Sequence, residues 1–145
     1  MTDFLVIAIW VAAAALSLFT AYGFFKAGKF KATSSKETLL GAGFGWIEKI
    51  PFPLVRLIAW LELLGAAGLV AAPIGYLAGI SWALWIAAAA GIGLALTMVG
   101  AIIVHAQRGE SKYTLKMNLQ LLAVSLLSAA GWLALSIISA PIGGI

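Results

Sequence analysis

Residues 54–72 read LVRLIAWLELLGAAGLVAA, a run of 19 residues that is apolar except for Arg56 and Glu62. At a helical rise of about 1.5 Å per residue, such a run nearly crosses the roughly 30 Å hydrocarbon core of a bilayer. Three further apolar runs of similar or greater length lie at about 4–25, 80–104 and 119–139. The sequence therefore predicts an all-α, polytopic membrane protein, a four-transmembrane-helix bundle that forms one domain over residues 1–145.

The composition agrees with a membrane environment and excludes several classes of function. Hydrophobic residues make up 63% of the chain and charged residues 10%, with a mean hydropathy of +1.10, whereas a soluble domain is about 25% charged. The chain has no cysteine and a single histidine, His105. It therefore offers no thiol nucleophile, no thiolate ligands for an iron–sulfur cluster and no histidine pair for a haem. We predict no metal site, no intrinsic cofactor and no nucleic-acid partner.

The basic residues predict the orientation of the chain in the membrane. All nine lysines and arginines lie in or beside the connections between runs one and two and between runs three and four. Basic residues near helix ends are retained in the cytoplasm, so both termini are predicted to face outward and both basic loops to face the cytoplasm. The first run lacks a preceding positive charge and is too long for a signal peptide, so we expect an uncleaved span. The predicted location is the bacterial cytoplasmic (inner) membrane.

The connection between the first two runs is the one long loop that the sequence predicts. It mixes charged residues with large apolar ones, which indicates an interfacial segment over about 33–50 that lies in the headgroup region. Pro51 and Pro53 mark the start of the second span and Pro73 its end. No proline is expected inside a helix, so no sharp proline kink is predicted.

Glu62 is the most informative single residue because it lies inside a predicted span. An ionised carboxylate facing lipid costs about 2.5–3.5 kcal/mol or more, so Glu62 is expected to face the bundle interior. Ala59, Gly65 and Ala66 share its helical face and let another helix approach closely. One interpretation is a proton-linked or ligand-binding carboxylate. The other is a structural carboxylate neutralised by a basic neighbour, and the predicted partners are Lys26 and His105.

Polar residues from all four spans are expected at the cytoplasmic face, because alternating topology brings one end of every span there. We predict that four of them line a polar pocket that opens toward the cytoplasm: Lys26, Glu62, His105 and Asn118. Three basic residues are predicted at its rim, beside lipid headgroups: Lys29, Arg56 and Arg108. For Arg56 the alternative is a bond to another helix. The fourth span also carries polar residues at near-heptad spacing, which indicates a packing seam: Asn118, Ser125, Ser128, Trp132 and Ser139.

Several short motifs occur in a characteristic order along the chain. They are Gly23-Phe-Phe-Lys26, the segment from Trp46 to Ala66, His105-Ala-Gln-Arg108-Gly-Glu110, and Asn118. Together they resemble the DoxX-like family of small four-helix bacterial membrane proteins, over about residues 18–135. The resemblance implies an association with redox complexes. Founding members of the wider family are subunits of a thiosulfate:quinone oxidoreductase, and a mycobacterial relative is described in a membrane complex linked to oxidative stress. The resemblance to this family implies no catalytic residues.

Three functions remain as hypotheses from the sequence. The first is a membrane subunit, not an enzyme by itself, that binds quinone or lipid and docks a soluble or membrane redox partner on the cytoplasmic side. The second is a small proton-coupled transporter that uses Glu62 and acts as a homo-oligomer. The third is an assembly or stability factor with no ligand. In all three the lipid bilayer is a partner.

Overall fold

The protein is described from a computed structural model, over residues 2–138. Within this range it is helical and has no strand, and its elements in chain order are α1 Thr2–Thr33, α2 Lys36–Gly41, a 3₁₀ helix Gly45–Lys49, α3 Phe52–Leu77, α4 Ala83–Gln107 and α5 Ser111–Ile138. Four of these described helices, α1, α3, α4 and α5, are long and apolar enough to cross a membrane. The predicted all-α, four-span fold class is thereby confirmed.

The four long helices form a closed ring of neighbours. Helix α1 packs against α3 and α5, and α4 packs against the same two helices. The chain alternates direction, so the end of α1, the start of α3, the end of α4 and the start of α5 meet at one end of the bundle. We call this the basic end, because the connections that carry the lysines and arginines lie there, and the opposite one the apolar end. Which end faces the cytoplasm stays a prediction.

Helix α1 is longer than the apolar run that predicted it. The run ends at Phe25, but the helix continues for two further turns to Thr33. Lysine and alanine are good helix formers, so the loss of hydrophobicity at Lys26 does not end the helix. This extension carries Lys31 along the bundle. Helix α4 begins at Ala83, three residues after the predicted start, and Ser139 lies outside the described residues.

The prediction that no proline lies inside a helix was wrong. Helix α3 continues through Pro73 to Leu77, so Pro73 occupies the second-last turn instead of ending the helix. Proline has no N–H to donate to the carbonyl of Leu69, four residues earlier. Only one helical hydrogen bond is lost, and such a loss is tolerated in membrane helices when neighbouring groups satisfy the freed carbonyl.

Small residues and a polar seam hold the helices together. A Cβ atom added at Gly91 would lie 2.9 Å from the Cβ of Ala129, so α4 and α5 approach closely at that point. The seam of α5 is buried from Asn118 to Trp132. Trp132 donates its indole N–H to Ser17 Oγ of α1 at 2.7 Å. Ser17 Oγ also lies 2.6 Å from Ser128 Oγ. These bonds join α1 to α5 in the apolar interior.

Candidate functional site

The segment that precedes α3 folds back over the basic end of the bundle. We call it the cap, residues 36–50, made of α2 and the 3₁₀ helix. Leu39 and Ile47 of the cap and Val55 of α3 form a cluster in which each side chain is 0% exposed. The segment that the sequence predicted as interfacial is therefore packed against the bundle through its own small apolar core.

Arg56 bonds to the end of α1, where the chain leaves the helix and leads into the cap. Its Nη1 donates to the carbonyl of Lys31 at 2.5 Å and its Nη2 to the carbonyl of Ser34 at 2.7 Å. The last carbonyls of a helix have no partner within the helix, so these bonds satisfy groups that would otherwise need water. The sequence predicted that Arg56 either lies beside lipid headgroups or bonds to another helix, and the structure shows it half-buried and bonded to the end of α1.

Beneath the cap lies a cavity of about 340 Å³ that all four long helices line. This volume falls in the range of small-molecule sites, roughly 300–1,000 Å³. Phe44, Trp46 and Ile50 of the cap form part of its wall. The sequence predicted a pocket at this end of the bundle, but it did not predict that partly buried apolar residues of the cap contribute to the wall.

A buried ion pair lies in the wall of the cavity. Lys31 Nζ donates to Glu62 Oε1 at 2.5 Å, and the two side chains are 8% and 3% exposed. The predicted partners, Lys26 and His105, do not fill this role. Lys26 precedes Lys31 by five residues, or about 140° around the helix axis, so it is exposed and does not line the cavity.

A signal for Lys31 is present in the sequence, although the apolar run does not reveal it. Phe24, Gly28 and Lys31 are spaced by four and three residues, which places them on one face of a helix. All three are buried. A Cβ at Gly28 would lie 3.1 Å from the carbonyl oxygen of Ala59, so α1 and α3 approach closely about one turn before the ion pair. The buried face of α1 thus continues beyond Phe25.

Two buried polar atoms in the cavity wall lack a hydrogen-bond partner among the described residues. They are Glu62 Oε2, an acceptor, and Asn118 Nδ2, a donor. Both residues line the cavity, and they are 2% and 3% exposed. A buried polar group without a partner costs about 1–3 kcal/mol. The cavity therefore offers one acceptor and one donor that have no partner, in a wall that is mostly apolar.

A second charged cluster forms at the rim of the cavity, where α4 ends. His105 Nδ1 lies 2.7 Å from Glu110 Oε2, and Arg108 Nε donates to Glu110 Oε1 at 2.7 Å. The hydrogen bonds from His105 and Arg108 lower the pKa of Glu110 below its ordinary value. A Cβ at Gly45 would lie 2.7 Å from Arg108 Nη2, so the guanidinium packs over the backbone of the cap. We call His105, Arg108 and Glu110 the rim cluster.

The predicted site residues are thus only partly brought together. Glu62, His105 and Asn118 line one cavity. Lys31 takes the place predicted for Lys26, and Lys29 is exposed with its ammonium 6.0 Å from the centre of the Phe25 ring. In the described part of the chain no group of three or more His, Asp or Glu residues is placed to hold a metal ion.

Comparison with known proteins gives one match. The model of the DoxX-like family matches residues 6–128, a range that contains the cap, the ion pair and every residue of the cavity wall. No curated protein and no solved structure matches the chain. Because the family match covers most of the sequence, and because the four long helices are apolar enough to cross a bilayer, the chain belongs to the DoxX-like family as a multi-pass membrane protein.

Proposed function

We propose that this protein is a non-catalytic membrane subunit that binds the head group of a membrane quinone in the cavity beneath the cap. The observation that supports the proposal is the pair of free polar atoms, Glu62 Oε2 and Asn118 Nδ2, in the wall of one cavity. Ligand sites are typically apolar with a few convergent polar groups, and this cavity has that character.

The two free atoms suit the two redox states of a quinone. The oxidised form carries carbonyl oxygens that accept hydrogen bonds, and Asn118 Nδ2 is a donor. The reduced form carries hydroxyls that also donate, and Glu62 Oε2 is an acceptor. Phe24, Trp46 and Met98 also line the cavity. Aromatic and thioether side chains pack favourably against a planar ring such as that of a quinone.

The ion pair argues for a neutral ligand. Lys31 is the one lysine or arginine among the residues that line the cavity, and Glu62 already neutralises it. A phosphate head group would need an unpaired cation or several donors, and burying its charge without them is costly. A quinone carries no charge and needs only the hydrogen bonds that the cavity leaves free.

The proposal of a redox partner is based on the family resemblance. The chain has no cysteine and one histidine, so it supplies binding and orientation, and electrons reach the quinone from a partner subunit. The basic end, with the exposed Lys26 and Lys29, is the surface that an acidic partner would contact. This part of the proposal rests on the redox association that the family resemblance implies.

A binding measurement tests the head-group proposal. The protein is placed in lipid nanodiscs and titrated with a short-chain quinone, and quenching of tryptophan fluorescence is followed because Trp46 lines the cavity. We expect saturable quenching. Asn118→Leu removes the donor and keeps the side-chain volume, and it should weaken binding by up to about tenfold, the effect of one hydrogen bond.

A matched control shows whether the loss of affinity is specific to the cavity. Ser136→Ala changes another buried polar residue of α5, whose hydroxyl bonds to Leu133 of its own helix and lies outside the cavity. Its affinity should equal that of the unaltered protein. Quenching that never saturates would refute the proposal and favour an assembly factor without a ligand. Proton-coupled uptake into proteoliposomes by the unaltered protein, lost in the double variant Lys31→Met with Glu62→Leu, would favour the transporter.

A further inference from the structure

A second concavity follows the seam between α3 and α4 on the outside of the bundle. It is a groove of about 720 Å³. Small residues form its floor, among them Gly68 and Ala71 of α3 and Ala90 and Gly93 of α4. The groove is mostly apolar, and its single hydroxyl, that of Thr97, already donates to the carbonyl of Leu94 at 2.7 Å.

The groove borders the cavity beneath the cap. Thr97 lines both of them. On α3 the groove ends at Leu61, and the next residue, Glu62, belongs to the cavity wall. Glu62, which has a free carboxylate oxygen and is 2% exposed, is therefore the residue of the cavity wall that follows the end of the groove on α3.

We propose that the groove between α3 and α4 holds the isoprenoid chain of the quinone whose head group occupies the cavity. This inference rests on the proposed function and extends it from the head group of the quinone to its isoprenoid chain. The ligand lies along the seam with its head beneath the cap and its chain directed toward the apolar end.

The length of the groove agrees with such a chain. It extends on α3 from Leu61 to Gly75 and on α4 from Thr97 back to Ala83. Each distance is about 14 residues, or about 21 Å at 1.5 Å per residue. Half of a hydrocarbon core of roughly 30 Å is about 15 Å. The chain could therefore follow the protein through one leaflet and beyond it.

A second surface groove distinguishes this inference from general lipid contact. The groove between α1 and α3 has a volume of about 570 Å³ and is lined by Leu18, Tyr22 and Phe25, among others. It shares no lining residue with the cavity. Because the α3–α4 groove shares Thr97 with the cavity, it is the groove that we assign to a chain attached to a head group there.

Two glycines of α4 allow the head and the chain to be tested separately. A Cβ added at Gly93 or at Gly100 would meet nothing within 4 Å. Gly93 lines the groove and Gly100 lines the cavity. Leucine at either position replaces glycine in a helix by a better helix former, so Gly93→Leu and Gly100→Leu should both fold.

The experiment uses the whole protein in nanodiscs with two probes, a short-chain quinone and a long-chain quinone that carries a photoreactive group at the end of its chain. In the unaltered protein we expect adducts near Ile80, Trp82 and Ile86. Gly93→Leu should reduce those adducts at least fivefold and leave quenching by the short-chain quinone unchanged. Gly100→Leu should reduce both signals.

The outcomes separate the two proposals. If the short-chain quinone fails to bind, the proposed function itself is wrong. If it binds but the adducts fall in the α1–α3 groove or are scattered over the outer surface, the chain-binding groove is wrong and the head-group site stands. If the unaltered protein gives no adducts, a second copy of the chain could cover the groove. Native mass spectrometry tests this: conversion of a dimer to a monomer by Gly93→Leu would show that the groove is an interface between copies.

Discussion

Two ion pairs at the basic end have nearly the same contact distance and very different surroundings. In the buried pair, Lys31 Nζ lies 2.5 Å from Glu62 Oε1, and the side chains are 8% and 3% exposed. In the rim cluster, Arg108 Nε lies 2.7 Å from Glu110 Oε1, and the side chains are 27% and 29% exposed. The distances differ by 0.2 Å, so geometry alone does not distinguish them.

Burial determines what each contact contributes to stability. Charges in the interior have lost their water, so removing one partner leaves the other charge without compensation, at a cost of about 3–5 kcal/mol. Exposed ion pairs contribute about 0–1 kcal/mol, because water solvates either group when the contact breaks. The comparison predicts that equivalent substitutions at the two sites will have unequal effects.

The largest effect is expected from Glu62→Gln. The amide cannot neutralise the buried ammonium of Lys31, so the free energy of unfolding should fall by about 3–5 kcal/mol. The measurement is unfolding by SDS in mixed micelles, followed by circular dichroism. Glu110→Gln makes the same chemical change in the rim cluster and is the matched control. Equal losses in the two variants would show that burial does not separate the sites.

Replacing both members of the buried pair tests whether the loss of stability comes from an uncompensated charge. Lys31→Met with Glu62→Leu leaves no charge behind, and exchange of a buried pair for apolar residues is often neutral or stabilising by about 1–4 kcal/mol. We expect the double variant to unfold at or above the SDS fraction of the unaltered protein and well above Glu62→Gln.

If quinone binding requires Glu62, this stable double variant should bind the reduced short-chain quinone more weakly than the unaltered protein. Retained stability with weakened binding would assign the pair to function. A double variant that is as unstable as Glu62→Gln would instead indicate that the pair holds α1 to α3 through contacts that apolar residues do not replace.

Most of the fold can be predicted from the sequence, but the partner of Glu62 cannot be read from hydropathy. Four apolar runs are sufficient for four spans, because backbone groups in lipid must bond within a helix. The end of α1 depends on a different property. Lysines at 26, 29 and 31 end the apolar run but not the helix, so the extension that carries Lys31 to Glu62 is visible only in the spacing of Phe24, Gly28 and Lys31.

The cap shows a second limit of sequence interpretation. Residues 36–50 mix charged and apolar side chains, and that pattern is typical of a segment that lies flat on a membrane. In the structure Leu39 and Ile47 are fully buried against Val55. Hydrophobic periodicity in such a short segment shows that one face is apolar but not whether lipid or protein covers it.

An intermediate effect is expected at Arg56, which is half-buried and bonds two carbonyls at the end of α1. Hydrogen bonds to charged groups contribute about 1.5–3 kcal/mol, so Arg56→Ala should destabilise the protein less than Glu62→Gln and more than any substitution in the rim cluster. Limited proteolysis between α1 and α3 should become faster. Arg56→Lys keeps the charge but not the planar fork, and it should restore only part of the protection.

The smallest effect is expected from Glu110, and it should depend on pH. Hydrogen bonds from His105 and Arg108 lower the pKa of Glu110 in the folded protein. A carboxylate with a lowered pKa contributes stability above its ordinary pKa of about 4.3, and the contribution is lost as the pH falls through the lowered value. Comparing thermal midpoints, we expect Glu110→Gln to lie slightly below the unaltered protein at pH 7 and the difference to close as the pH falls below about 4. The other carboxylates titrate equally in both proteins, so the difference isolates Glu110. A gap that widens in acid would mean that the rim cluster stabilises the protonated carboxyl, and the comparison with the buried pair would then be wrong in sign.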